Sequence, residues 1–270
     1  MPVEKIIMKS RFYYLIHIQY LGFRFHGWAK QPKVKTVHHM IDRTLTYLFD
    51  QQHFKTLGAS RTDAMVSANH AVFELFLFEP LDDLDDFLET LNKNLPADIR
   101  AIDIEETDKH FNIIKTPKEK EYIYLFAYGQ KAHPFSSPFL STFLDELDLD
   151  LMKKGAKTFE GKHDFRAFCK KPKAEQDTIR EITYSRIVSN SFLKADFFPQ
   201  PSYAFKVTGK GFMRNQIRIM MGQLLRLGRQ EIDLEYHKSS LITGFSDHLD
   251  LVAPASGLML NRVKFDTAFN

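Results

Sequence analysis

Hydrophobic positions alternate at the start of the chain. Phe12, Tyr14, Ile16, Ile18 and Tyr20 fall on one face of an extended segment, with Tyr13, His17 and Gln19 opposite, which predicts a strand with one face in a core. A turn holding Gly22 and Gly27 follows. Val37, Met40, Ile41, Leu45 and Leu48 then keep the three-to-four spacing of a helix. Ala71, Phe73, Leu75 and Leu77 predict a second strand. Leu84, Phe87, Leu88 and Leu91 predict a helix opened by Asp82 and Asp83, acids that complement the helix dipole. Pro96 ends it, and Ile99, Ala101 and Ile104 predict another strand.

The second half repeats the theme. Residues Tyr122 to Tyr128 are apolar on both faces and read as a central, buried strand. Leu149 to Phe159 predicts a helix, and Ile182 to Val188 and Tyr203 to Val207 predict strands. The longest helical pattern runs from about Phe212 to Leu227, after the turn Gly209-Lys210-Gly211. Ile232 to Leu241 predicts one more helix, and Leu258, Leu260 and Val263 a final strand. Strand–helix–strand–strand–helix–strand order is the split βαβ, ferredoxin-like arrangement. The expected fold is therefore α+β, with two ferredoxin-like halves forming a mixed, mostly antiparallel sheet. Helices cover one face, and an active-site cleft lies between the halves. The boundary is placed near residue 110, giving subdomains 1–110 and 111–270.

Composition adds limits. Hydrophobic residues make up 44% of the 270, enough for a sizeable core and too many for a disordered chain. No apolar run approaches the ~20 residues of a spanning helix, and the N-terminus lacks an export-signal core. The single cysteine, Cys169, allows no intrachain disulfide and reads as a small packed residue. A soluble, cytoplasmic protein is expected. His38, His39, His133 and His163 lack metal-ligand spacing and read as surface or turn residues, so no metal is expected. Gly209-Lys210-Gly211 is not a phosphate-binding loop.

Charge matters through its distribution. The sum is +3, from 37 basic and 34 acidic residues. Residues 204–229 hold Lys206, Lys210, Arg214, Arg218, Arg226 and Arg229 and no acid. Lys162, Arg166, Lys170, Lys171 and Lys173 form a second cluster, and Lys30, Lys33 and Lys35 a third. Acids gather at Asp82–Glu89 and Asp145–Asp150. Each run alone reads as a solvated face. Together, with the acids held apart, they match the footprint of a phosphate-backbone binder, and solvated faces stay an equally open reading. Arg214 and Arg218 are four apart, which on a helix puts them on one face with Asn215 beside them.

The stretch Gly58-Ala59-Ser60-Arg61-Thr62-Asp63-Ala64-Met65-Val66-Ser67-Ala68 carries the candidate chemistry. An Arg two residues before an Asp favours the ionised carboxylate, which can act as nucleophile or base. On these residues alone a structural Arg–Asp pair is favoured over a catalytic one.

The stretch resembles the catalytic loop of the TruA family of tRNA pseudouridine synthases, Gly-Arg-Thr-Asp-x-Gly-Val-His-Ala. Further segments resemble the family in order: Gly27-Trp28-Ala29-Lys30-Gln31, Leu91 to Ile99, Phe111 followed by Lys120-Glu121-Tyr122-Ile123-Tyr124, Phe212 to Gly222 with Arg218 inside, and Ala253-Pro254-Ala255-Ser256-Gly257-Leu258. The departures are Ser60 and Met65 where the family has Gly, Ser67 where it has His, Ile114 for an Arg and Leu21 for an Asp. A glycine at 65 serves a positive φ or close RNA approach, and a methionine side chain obstructs either.

The resemblance implies a cofactor-free conversion of uridine to pseudouridine in the anticodon stem-loop of tRNA, at about positions 38 to 40, by a homodimer. It implies that Asp63 is the carboxylate, acting on the base, on the sugar, or on a sugar proton. Arg61 would hold the extruded conformation, which offsets a few kcal/mol of unstacking. Arg218 would pair with Asp63, and Tyr122 would pack on the uracil. Arg214, Lys210, Lys30, Lys170 and Lys171 would contact phosphates. Without the resemblance, Tyr122 reads as a core tyrosine. Two other readings stay open: an RNA-binding or tRNA-folding protein on the same scaffold, motivated by Ser60, Met65, Ser67 and Ile114, and a carboxylate-dependent hydrolase unrelated to RNA.

Overall fold

A computed structural model describes residues 12–50 and 53–265; the expected absence of an export signal concerns residues outside that range. The predicted N-terminal strand is β1 (Phe12–Tyr20), followed by α1 (Val37–Leu48), β2 (Lys55–Gly58), β3 (Ser67–Leu77), α2 (Leu84–Asn94) and β4 (Ile99–Thr107). Thr36 caps α1 and Asp83 caps α2 through their side chains, each accepting a backbone N–H that the first turn leaves free. The second half runs β5 (Pro117–Tyr128), β6 (Ser141–Phe143), α3 (Leu149–Thr158), β7 (Gly161–Asp164), β8 (Ile179–Ser189), β9 (Tyr203–Gly209), α4 (Gln216–Gly228), α5 (Leu234–Ser239) and β10 (Leu258–Phe265).

One sheet joins all ten strands, in the order β4-β1-β3-β10-β5-β9-β8-β7, with β2 beside β3 and β6 beside β5. Within each half the four principal strands stand in the order fourth, first, third, second, the ferredoxin-like arrangement. Pairing is antiparallel except for β3–β10 and β5–β6. The halves meet at β3–β10, which pair only through Met259 with Ser67 and Leu260 with Ala68. Farther along the same edge of β3, β2 takes over from Phe73 to Phe76. The sheet therefore parts between β2 and β10, and the loop 59–66 sits at that parting.

The helices pack into one continuous core with Tyr14, Ile16 and Ile18 of β1 and with Tyr122, Tyr124 and Phe126 of β5. The alternate residues of β5, Ile123, Leu125 and Ala127, form a second core with Leu140 and Phe198. Burial on both faces explains why β5 reads as a continuous apolar run. Two expectations change. The helix expected from Phe212 begins at Gln216, because Asn215 adopts a left-handed backbone (φ 60°) and Gln216 accepts the Met213 N–H with its side chain. Arg214 and Arg218 therefore do not share a helix face. The helix expected over Ile232 to Leu241 is confined to Leu234–Ser239.

Candidate active site

The loop after β2 is tied at Thr62, Met65 and Ser67 to the end of β1 and the segment after it. The Trp28 N–H donates to the Thr62 carbonyl (3.1 Å) and the Met65 N–H to the Phe25 carbonyl (3.0 Å). The Gly22 N–H donates to the Ser67 hydroxyl (2.9 Å), so this serine closes the loop. The buried Tyr20 hydroxyl bonds the Thr62 hydroxyl (2.9 Å). Gly27 has φ +86°, and an added Cβ would press on the Thr62 carbonyl (2.6 Å); only glycine permits both the backbone and the approach. Trp28 is buried and stacks on His38 (5.4 Å between centroids).

This packing presents Asp63 at a cleft of about 920 Å³, bounded by the loop, the start of α1, β5 and the turn before α4. Arg218 approaches from α4, with Nη1 3.8 Å from an Asp63 oxygen. Its Nε donates to the Ala253 carbonyl (2.8 Å), which fixes the fork. A gap of 3.8 Å supports Coulomb attraction and is too long for a hydrogen bond. Among the described residues the Asp63 carboxylate accepts no hydrogen bond, so its lone pairs stay available to a ligand. Burial pulls the Arg218 guanidinium downward, opposed by the nearby Asp63 charge.

Tyr122 stands on β5 with Phe212 edge-on to its ring (5.3 Å). Burial pushes its hydroxyl upward, with Tyr20 and Asp63 adding to the shift. Its hydroxyl therefore remains protonated at neutral pH, within the electrostatic reach of Asp63. The site thus holds a carboxylate, a steadied guanidinium, a protonated phenol and an aromatic wall.

The remaining expected residues divide. Arg61 and Arg214 line the cleft and are exposed. Lys30 lines it too but is held by Asp42. Lys210, Lys170 and Lys171 are exposed and lie off the cleft wall; the Lys170 N–H bonds the Arg214 carbonyl (3.2 Å), which keeps those two chain segments adjacent. His38, expected at the surface, is half-buried in the cleft wall, with its Nε2 2.7 Å from the Thr56 hydroxyl. Burial and then Lys30 push its imidazole down to about 4. Among the described residues no three His, Cys, Asp or Glu side chains converge as a metal site requires, and no helix is long and apolar enough to cross a membrane.

Sequence reasoning singled out no role for Lys120, whose Nζ reaches from β5 to the Ala59 carbonyl (2.9 Å). Its place two residues before Tyr122 on one strand face was the available signal.

Comparison with known proteins gives concordant results. The profile of a family described as tRNA pseudouridine synthase matches residues 16–114 and 156–266. The tRNA pseudouridine synthase A of Thermotoga sp. (strain RQ2) is 33% identical over 251 residues, covering 92% of this chain and 97% of that protein. That of Clostridium botulinum (strain Alaska E43 / Type E3) is 30% identical over 246 residues, covering 91% and 96%. That of Thermosipho melanesiensis is 32% identical over 254 residues, covering 93% and 99%.

Proposed function

The chain belongs to the tRNA pseudouridine synthase family, an isomerase family, and on that premise we propose that it converts uridine to pseudouridine in the anticodon stem-loop of tRNA, with Asp63 as the catalytic carboxylate. The reaction is an isomerisation of a tRNA uridine: the bond from C1′ to the base nitrogen N1 breaks, the uracil turns, and a bond from C1′ to C5 forms while C5 loses its proton and N1 gains one. No external reactant is consumed. It needs an ionised carboxylate, a wall against which the detached base can turn, and a group to move the proton.

The observation that carries this reading is the pairing of Asp63 with Arg218 at 3.8 Å beside the protonated Tyr122. Asp63 acts at the sugar or the base with its free oxygens. Arg218 stands 3.8 Å from it as its counter-charge. Tyr122 supports the uracil, and its neutral hydroxyl can relay the C5 proton. Arg61, exposed beside Asp63, fills the space that the extruded base leaves. Arg214, Lys30, Lys210, Lys170 and Lys171 contact phosphates, through attraction that salt weakens. In this reading subdomain 1–110 supplies the carboxylate loop and 111–270 the tyrosine strand and basic helix. Target positions of about 38 to 40, a homodimer and a cytoplasmic location complete it.

Pseudouridine mapping on anticodon stem-loop transcripts and whole tRNA tests the reading. The wild-type protein forms product, and Asp63→Ala forms none while still retaining tRNA. A wild-type protein that binds tRNA yet modifies no uridine would leave it an RNA-binding protein on this scaffold.

A further inference from the structure

Lys120 and Tyr122 are alternate residues of one strand. Their side chains therefore rise from the same face of β5, roughly 6.7 Å apart along it. Both line the cleft. Tyr122 is buried and Lys120 only half-buried, so Lys120 occupies the more open part of the wall. One of its three donors reaches the Ala59 carbonyl at 2.9 Å.

Among the described residues no carboxylate pairs with it. The acids on either side of it in sequence are engaged elsewhere. Glu119 faces Arg262 (3.9 Å) and Lys264 (3.2 Å), and Glu121 faces Lys206 (2.9 Å) and Asn261 (2.5 Å). The other basic residues of the cleft differ: Lys30 is held by Asp42, while Arg61 and Arg214 are exposed to water. Burial pulls the Lys120 ammonium downward, with no neighbouring acid to offset it. A partly desolvated cation is costly on its own. It becomes favourable when an anion arrives.

We propose that Lys120 binds a backbone phosphodiester of the target nucleotide, one sugar removed from the base that packs on Tyr122. This rests on the reading of the cleft as a uridine site. The order of depth supports it. An extruded nucleotide enters base first, so its aromatic part lies against the buried phenol and its phosphate stays at the half-exposed ammonium.

The test uses stem-loop RNAs with all linkages natural, or with one neutral methylphosphonate on the 5′ or 3′ side of the target uridine. Wild type, Lys120→Gln and Lys120→Arg are compared. Lys120→Gln raises Kd and KM by roughly tenfold, the worth of one charge-assisted hydrogen bond, and leaves kcat within about threefold. It also lowers the slope of log Kd against log salt by about 0.7, one single-strand phosphate contact. Lys120→Arg restores both quantities. A methylphosphonate at one of the two linkages weakens wild type by a similar factor and adds nothing in Lys120→Gln, which identifies the phosphate. A fall in kcat with unchanged Kd and salt slope makes Lys120 a loop anchor only and overturns the proposal. So does a wild-type Kd indifferent to both methylphosphonates, a result that needs no variant to fold. A wild type that binds the natural stem-loop but makes no pseudouridine defeats the isomerase reading instead, and its Kd values still decide Lys120.

Discussion

Met65 holds a left-handed backbone, φ 66°, with its side chain exposed. An L-residue is strained there by about 1–2 kcal/mol, which glycine escapes. A positive φ was one of the two readings that a family glycine at this position offered, the other being close RNA approach. Met65→Gly is expected to stabilise the fold by about 1 kcal/mol, after the greater freedom of glycine in the unfolded chain is subtracted. In urea the midpoint rises at unchanged slope. The Met65 side chain lies off the cleft wall, so kcat stays at the wild-type value. The contacts that aim the candidate catalytic groups were not legible in this way. Tyr20 with Thr62, Lys120 with Ala59 and Arg218 with Ala253 join residues 42, 61 and 35 positions apart. No local pattern encodes such meetings. The resemblance carried Asp63, Tyr122 and Arg218 into one candidate site and gave Lys120 no part in it.

Elements with strong periodicity were legible, and elements without it were not. The strand β1 and the helices α1, α2 and α3 begin and end within a residue or two of their sequence patterns. The strands β2, β6 and β7 have four, three and four residues, too few for alternation to stand out. The second core is closed by irregular chain around Leu140, Leu193 and Phe198, which has no period to read. The basic helix α4 was overextended because Phe212 continues the apolar spacing, whereas the turn at Asn215 is set by backbone and side-chain bonding. This helix also carries an element-scale prediction. Gly222 lies against the carbonyl of Leu251, where an added Cβ would collide. Two residues further on, Ala253 is bound to Arg218 twice, through its N–H (3.1 Å) and its carbonyl (2.8 Å). Gly222→Ala must push that segment away. It is expected to lose about 2–3 kcal/mol of stability, the cost of overpacking a tight contact, and to lower kcat through the displaced Arg218. Gly211→Ala adds a methyl where nothing lies within 4 Å and leaves the thermal midpoint unchanged. Melting curves and single-turnover rates of the two variants check the pair.

At the scale of the whole molecule, the repeated ferredoxin-like order was legible because each half writes its own strand–helix alternation. The two-residue β3–β10 junction that opens the cleft was not, since so short a pairing leaves no pattern. Buried titratable groups spread through both halves give this architecture a pH dependence. Burial lowers His38 in the cleft wall and His237, beneath α3, to about 4 each, from 6.5. Burial, then His17 and Arg262, also lowers His70, whose Nδ1 lies 3.3 Å from the Val263 N–H across the junction of the halves. A histidine with a lowered folded pKa contributes stability above pH 6.5, and that contribution is lost as pH falls towards the folded value. Glu74, buried in β3, is raised by burial to about 7 from 4.5. It contributes stability below pH 4.5, which is lost as pH rises towards 7. Between pH 4.5 and 6.5 the unfolded chain therefore binds two more protons at His38 and His237 and one fewer at Glu74, a net excess of one. Stability should rise with pH across that window by about 1.4 kcal/mol per pH unit, with His70 adding in the same direction. Glu74→Gln removes the opposing proton, so the same urea series steepens towards about twice that slope. A variant curve parallel to the wild type would show that Glu74 does not bind its proton more tightly in the folded chain.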